Sequence, residues 1–360
     1  MDPEPTTPHR PEAASRPLEP PREVVRRLPL TAGQAEVVTR GREAVRSVLD
    51  GDDDRLVIVV GPCSIHDPVA GRGYAERLAG LSDRLGDELI IIMRAYFEKP
   101  RTTVGWKGLL TDPGLDGTFR IHEGVPMARS FLRDVLTLGL PVGCEFLDPI
   151  VAGYLADAVS WSAIGARTTG SPIHRQMASG LAMPVGFKNS VSGDVQVAVD
   201  AVDTARRPQV FPGTDDHGRT AVVTTGGNPH GHLVLRGGSA GPNYDRPGVA
   251  DGVARLERAG LPPRLFIDAS HGNSGKDHRR QPVVVAEVGE RIAAGERGIV
   301  GLMLESFLVA GRQEAGAGPL VFGQSVTDSC IGWETTVAVL ETLASSVGRR
   351  REALGAGVPG

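Results

Sequence analysis

Lysine is nearly missing from this chain: four residues, at positions 99, 107, 188 and 276, stand against 35 arginines. Where arginine is so strongly preferred, a retained lysine points to a need for a compact charge or a movable proton. For Lys107 and Lys276 chance is an adequate explanation. Cysteine is scarce as well. Three residues, odd in number and far apart, do not make a disulfide framework, and a cytoplasmic setting is expected. No apolar run exceeds strand length, Leu56–Val60 and Leu89–Met93 being typical, so no membrane span is expected. The N-terminal MDPEPTTPHRPEAASRPLEPPRE is proline-rich and polar and lacks the apolar stretch of a signal peptide. There is no GxxxxGK[ST], and no GxGxxG follows a strand, which leaves a nucleotide cofactor without support. A formal charge of -4 with no basic stripe argues against nucleic acid as a partner.

Aromatic residues make up only 4% of the chain, so its core must be built from Val, Ile, Leu and Ala. Residues 1–28 read as a disordered or loosely attached tail, dominated by proline and charge, and 349–360 as a flexible C-terminal tail. A helix is expected from about Thr31, its N-cap, to Leu49, because Val37, Val38, Ala44, Val45, Val48 and Leu49 share a face. Eight apolar runs follow: 55–61, 89–94, 140–146, 162–167, 184–189, 232–237, 264–271 and 301–306. They are apolar throughout rather than alternating, as parallel strands covered by helices should be. Helical stretches are expected at about 69–84, 123–138, 193–205, 246–260, 282–295 and 333–346. Eight strands with crossover helices is the count of a (β/α)8 TIM barrel spanning 29–348, with an open doubly wound sheet as the alternative. Residues 207–227 are too polar for a crossover helix and read as an inserted loop or hairpin.

Each run closes on a chemically capable residue: Cys63, Arg94, Glu145, Arg167, Lys188, Arg236, His271 and Glu305. In a barrel these positions converge on one mouth. One arginine after one strand is usually just solvated; eight such residues in order are not so easily dismissed. Arg94, Arg167, Lys188 and Arg236, with Lys99 and Arg101 after the second run, form a cationic cluster. Buried like charges are tolerable when an anion fills them, and guanidinium forks suit carboxylate and phosphate. Small, highly anionic substrates are therefore expected. Cys63, His271, Glu305 and Asp328 offer a mixed donor set for a divalent metal, although no short CxxC or HxxH spacing supports it. The plain readings are a small buried residue for Cys63 and a turn or cap for Asp328. Cys144 and Cys330 read as core, and His66 fits neither group strongly.

The segments GPCSIHDP, MRAYFEKPRTTVGWKG, SWSAIGARTT, MPVGFKN, GNPHGHLVLRGG, IDASHGNSGKDHRRQP and SVTDSCIGWE resemble type I 3-deoxy-D-arabino-heptulosonate 7-phosphate (DAHP) synthases. The resemblance runs from about residue 30 to 348. It implies a barrel enzyme that condenses phosphoenolpyruvate with erythrose 4-phosphate, the first step of the shikimate pathway to aromatic amino acids. By resemblance, Cys63, His271, Glu305 and Asp328 hold one divalent ion (Mn, Fe, Co or Zn). Arg94, Lys99, Ala166, Arg167, Lys188 and Arg236 bind phosphoenolpyruvate, with Glu145 nearby. Lys99, Pro100, Arg101 and Thr102 hold the aldose phosphate. Lys99, Glu145 and His271 are the acid–base candidates, unranked. The resemblance also implies an aromatic amino-acid effector and a homo-oligomer, dimer or tetramer. In ASGLAMP, GNPHGH and SHGNSGKDHRRQP the wording is nearest to the tyrosine-sensitive isozyme.

Several positions depart from the family pattern. ARTTGS places Gly170 where a glutamate is usual, and RGGSAGPNYD lacks a lysine and carries an extra residue. MLESFLVAGRQ replaces the commoner ESH or ESN and EGNQ, and ASGLAMP has Ala182 for a serine. Feedback inhibition is accordingly expected to be weak or restricted to tyrosine. Two other readings stay open on sequence: the same reaction in a specialised aromatic pathway, and a non-catalytic regulatory relative.

Overall fold

The structure, a computed structural model, describes residues 15–101, 105–316 and 318–355. Two helices precede the first strand, α1 Pro21–Arg27 and α2 Ala32–Asp50. Strand β1 Leu56–Gly61 leads through α3 Pro68–Arg84 to β2 Leu89–Arg94, and α4 Ile121–Thr137 leads to β3 Val142–Glu145. Then come α5 Pro149–Leu155, β4 Trp161–Ile164, α6 Pro172–Gly180, β5 Val185–Lys188 and α7 Gln196–Ala205. A hairpin of β6 Gln209–Thr214 and β7 Thr220–Thr225 precedes β8 Gly231–Leu235 and α8 Arg246–Arg258. The chain ends with β9 Leu265–Asp268, α9 Gln281–Ala293, β10 Ile299–Glu305, the short β11 Val309–Arg312 and β12 Gln324–Ser325, and α10 Trp333–Gly355.

Strands β1, β2, β3, β4, β5, β8, β9 and β10 pair in parallel in that order, and β10 returns to β1 to close the barrel. Every residue of β1, β2 and β10 is buried, because helices cover the outside and side chains fill the inside. The interior is packed around Trp161 and Phe266, stacked 6.1 Å apart with their planes 2° from parallel. Glycine makes that stack possible. A Cβ on Gly186 would lie 2.7 Å from the Trp161 ring, and one on Gly301 2.7 Å from Phe266.

Helix α2 begins in a capping box, with Thr31 Oγ1 accepting from the Gln34 N–H and Gln34 Oε1 from the Thr31 N–H. Its Val45, Val48 and Leu49 pack with Val57, Val59, Ile90 and Met303 of the barrel interior. Arg42 donates to Val159 O and Arg46 to Ala182 O, both ahead of strands, so α2 stoppers the N-terminal mouth. The C-terminal mouth is left open. Asp67, Asp148 and Asp245 cap α3, α5 and α8 with proline in the first turn, which sets where each crossover leaves that mouth.

Both tails need correction. The loose N-terminal segment does not reach residue 28: α1 is helical, Val24 is buried, and Tyr154 Oη donates to Glu19 O at 2.6 Å. Fully buried Arg129 also donates to Leu28 O at 2.8 Å, which anchors the α1–α2 link. At the other end α10 continues through 349–355, and Arg350 is buried with a bond to Asp54 O. Residues 1–14 and 356–360 lie outside the described residues. The insertion at 207–227 is a hairpin, as its polarity suggested, with Val210 and Val222 exposed on one face.

Candidate active site

The barrel delivers the strand-end residues to one place. Arg94, Glu145 and Lys188 are the last residues of β2, β3 and β5, and Arg236 follows β8 directly. With Lys99, Pro100, Arg101, Ala166, Arg167, His271 and Asp328 they line a single cleft at the C-terminal mouth. Cys63 and Glu305 are buried behind it, Glu305 beside His271 and Asp328. Of the residues singled out in sequence, Thr102 lies outside the described residues.

The cationic cluster is partly neutralised by the protein itself. Arg94 Nη2 donates to Glu305 Oε1 at 2.9 Å and to Cys63 O at 3.2 Å, and Nε donates to Pro62 O at 3.1 Å. Its guanidinium lies 3.8 Å over the Tyr96 ring. Burial opposes its charge, but Tyr96 and Glu305 outweigh burial, so Arg94 stays protonated more firmly than usual. Its Nη1 is buried and has no partner among the described residues, a donor ready for an anion. Lys99 Nζ donates to Cys63 O at 2.7 Å. Lys188 Nζ, also buried, donates to Asp268 Oδ2 at 2.7 Å. Arg167 and Arg236 form no ion pair among the described residues, and Arg167 is exposed at the rim.

Asp268 escaped the sequence reading. It ends β9 within RLFIDASH, where attention to the first residue beyond the apolar run selects His271 instead. Its carboxylate is fully buried, accepts from Lys188 and from the Ser270 N–H and hydroxyl at 3.0 and 2.5 Å, and lies 2.9 Å from His271 Nδ1, which is also 2.8 Å from Ser270 Oγ. Burial works against its charge, and Lys188 and His271 outweigh burial, holding the carboxyl well below the usual range. Asp268 and the Ser270 hydroxyl, both against Nδ1, orient the imidazole and leave Nε2 facing Glu305 Oε1, 3.8 Å away. His271 has φ 55°, a left-handed backbone uncommon for a non-glycine residue. The Lys276 N–H donating to His271 O at 2.7 Å holds that turn.

Cys63 Sγ and one oxygen each of Glu305 and Asp328 lie within 4.8 Å of one another. Such a span suits a first-row divalent ion with thiolate and carboxylate ligands; His271, the fourth residue of the expected set, falls outside the trio and approaches it only through Nε2, 3.8 Å from Glu305 Oε1. Burial first, then Glu305, pushes the Cys63 thiol up, and Lys99 and Arg94 beside it only partly offset that. The Asp328 N–H and Cys63 Sγ are 3.4 Å apart, and the Cys63 N–H donates to Cys330 Sγ at 3.4 Å. Cys330 is thus core by burial but touches the donor set. Cys144 is core, donating to Ala95 O at 3.1 Å.

Lys276 is no bystander either: it lines the cleft, with Nζ 3.8 Å from Asp328 Oδ1. Three of the four lysines therefore surround the site. Lys107 lies in the loop after β2, where its carbonyl accepts from the Lys99 N–H. Glu145 occupies the cleft wall, and no hydrogen-bond donor meets its carboxylate among the described residues. Two of the departures are accommodated. A Cβ on Gly170 would meet only Val197, at 3.5 Å, and Phe307 is buried edge-on to His66 with ring centres 6.0 Å apart.

Residues 29–341 match the family described as the DAHP synthetase I family. A phospho-2-dehydro-3-deoxyheptonate aldolase of Corynebacterium glutamicum is 53% identical over 341 residues, 92% of each chain. The Phe-sensitive enzyme of that name from Escherichia coli is 50% identical over 335 residues, covering 93% of this chain and 95% of its own. Relatives named Trp-sensitive and tyrosine-inhibited fall in the same range, at 51% and 46% identity. The solved structure of the phospho-2-dehydro-3-deoxyheptonate aldolase of Francisella tularensis superposes with a TM-score of 0.93. It is 46% identical, and the match covers 95% of this chain and 100% of that one.

Proposed function

The chain belongs to the DAHP synthetase I family, and from that premise we propose how its cleft condenses phosphoenolpyruvate with D-erythrose 4-phosphate. The products are 3-deoxy-D-arabino-heptulosonate 7-phosphate and inorganic phosphate, in the first step of the shikimate pathway. One observation carries the assignment of roles: unpaired cationic donors and a metal-type donor trio meet at the same barrel mouth.

Phosphoenolpyruvate brings a phosphate and a carboxylate. The free Nη1 of Arg94, with Arg167, Arg236, Lys188 and the backbone at Ala166, matches that charge. Lys188 is held by Asp268, so it contributes a fixed dipole rather than a wandering ammonium. Lys99, Pro100, Arg101 and Thr102 are assigned to the aldose phosphate.

The residues present fit a divalent ion, because His271 Nε2, Cys63, Glu305 and Asp328 are oriented donors of mixed type. These four would hold it; Mn, Fe, Co and Zn all suit them, and the ion would supply Lewis-acid polarisation of the aldehyde oxygen. Carbon 3 of the enol ether forms the bond to the aldehyde carbon, which leaves cationic character at carbon 2. Water adds there, and the hemiketal phosphate collapses with C–O cleavage to release phosphate. Glu145 is the carboxylate free to take a proton from that water, and Lys99, pinned at 2.7 Å to Cys63 O, is the donor for the new alkoxide. His271 is assigned to the ion rather than to proton transfer, because Asp268 and Ser270 hold Nδ1 and turn Nε2 toward Glu305 of the donor set.

Regulation belongs to the same proposal. Asn228 Nδ2 donates to Ala178 O, Leu181 O and Met183 O, and Ser179 Oγ lies 2.6 Å from Thr225 Oγ1, which fastens the ASGLAMP segment to the hairpin. Weak inhibition, or inhibition by tyrosine alone, is expected there; strong inhibition by phenylalanine in an assay with each aromatic amino acid would contradict it. The exposed Val210 and Val222 face supports a dimer or tetramer, and three unpaired cysteines support a cytoplasmic setting. No helix among the described residues is long and apolar enough to cross a membrane. The donor assignment is tested by titrating cobalt(II) and following thiolate-to-cobalt absorption. A band in the native chain that disappears in Cys63→Ala is expected, and a band that survives the substitution would overturn it.

A further inference from the structure

Three asparagines stand outside the cleft lining, yet each lies beside a residue within it. Asn189 follows Lys188, Asn243 closes the loop that Arg236 opens, and Asn273 lies two residues beyond His271. Asn189 and Asn273 are fully buried. Asn189 Oδ1 accepts from the Arg236 N–H at 2.8 Å and from Asn243 Nδ2 at 3.2 Å, while its Nδ2 donates to Gly237 O at 2.9 Å. Asn243 Oδ1 accepts from the Gly237 N–H at 2.7 Å, and its backbone N–H donates to Asn273 Oδ1 at 2.9 Å. Asn273 Nδ2 donates to Leu235 O at 3.1 Å and to Asp268 O at 2.9 Å. One primary amide from each of the loops after β5, β8 and β9 thus ties those strand ends together, with donors and acceptors both in use.

The glycines at this junction leave the three loops no other spacing. A Cβ on Gly237 would lie 2.5 Å from the Gly272 backbone, one on Gly238 2.4 Å from Gly193, and one on Gly272 2.6 Å from Gly238 N. Backbone meets backbone, and the amides set the distance. Apolar packing is non-directional and cannot do this, whereas a closed set of hydrogen bonds in a dry site is directional and mutually reinforcing. The extra residue in RGGSAGPNYD is kept out of the junction: Gly238 N–H donates to Gly241 O at 2.9 Å and Gly241 N–H to Gly238 O at 3.1 Å. The added length closes into its own turn before Asn243 returns to the network.

We propose that Asn189, Asn243 and Asn273 are positioning residues that fix Lys188, Arg236 and His271 relative to one another for phosphoenolpyruvate. The proposal rests on the assignment of those residues to that substrate. Strand β2, which carries the Lys99–Arg101 loop, lies across the barrel from β8, so the aldose phosphate is spared.

The test is Asn243→Ala, the member with most access to solvent, in the full-length manganese-loaded protein. Phosphoenolpyruvate affinity is measured by titration calorimetry, KM for each substrate by phosphate release, and Tm by melting. Loss of this link is expected to weaken phosphoenolpyruvate about three- to tenfold, to leave KM for erythrose 4-phosphate within about twofold, and to leave Tm close to native. Asn243→Asp keeps an oxygen for the Gly237 N–H and loses the donation to Asn189. Its expected effect is smaller with the same split, and it carries the test where the alanine variant is not recovered folded. Unchanged phosphoenolpyruvate affinity, or equal losses for both substrates, would overturn the proposal. Failure of the native chain to bind phosphoenolpyruvate would instead overturn the cleft assignment, and the proposal with it.

Discussion

Replacing Asp268 with asparagine keeps the shape of the side chain and removes the one charge that holds Lys188 and His271 in place. In the native site its carboxylate accepts from Lys188 Nζ at 2.7 Å and from Ser270 on both backbone and hydroxyl, and it pairs with His271 Nδ1 2.9 Å away. An amide has one accepting end, so whichever way it turns, an NH2 group faces another donor. Lys188 is left buried without a counter-charge. Breaking a buried pair from one side costs about 3–5 kcal/mol, so a large drop in unfolding free energy is expected in guanidinium titrations. Loss of the carboxylate behind a ligating histidine typically costs about 10–100-fold in metal affinity, readable by competition with a fluorescent chelator. The sign with pH is fixed by the depressed carboxyl. Its stabilisation is present above the ordinary value of 3.8 and is lost as pH falls through the lower folded value. The gap between native and variant should therefore hold at neutral pH and narrow only below about 3.8. A variant with native metal affinity and native stability at pH 7 would refute the reasoning.

Gly165→Ala should separate catalysis from folding. The new Cβ would lie 2.0 Å from Glu145 Oε1, the end of a movable side chain, so the carboxylate swings away while the barrel stays intact. A fall in kcat of about tenfold or more with little change in Tm is expected; native kcat would remove Glu145 from the mechanism. Glu98 is buried, and burial pushes its carboxyl up to about 8. The folded chain then holds a proton that the unfolded chain releases above 4.5. Stability should accordingly fall as pH rises from 4.5 to about 8, by an amount on the order of a few kcal/mol, and level off beyond. Glu98→Gln should flatten that decline in denaturation curves taken across the range, and an unchanged slope would contradict it.

The barrel was legible because its strands are buried on both faces and so read as unbroken apolar runs, all eight of which became strands. Helices α5 and α6 were not foreseen: PIVAGYL and PIHRQMASG are too short to show a period, although Asp148 and Ser171 before proline mark their starts. Charge misled at both termini. Proline and arginine suggested loose tails, whereas Arg129 and Arg350 are buried against backbone carbonyls that anchor α1 and α10. In the site, strand ends located the cleft residues, but sequence gives no sign of which cation has an internal partner. Arg94 and Lys188 looked as free as Arg236 until Glu305 and Asp268 were seen beside them. Lys276 was passed over because it follows β9 by eight residues and returns only through the turn that His271 makes.

In the function proposed above, the strand-end residues hold a divalent ion and two phosphorylated substrates in one cleft. Phosphate release by exhaustively chelated protein, with both substrates, with each alone, and before and after adding back a divalent metal, tests it most directly. The expected result is release that needs both substrates and the restored metal together. Release undiminished by chelation, or none with both substrates and metal present, would contradict the account.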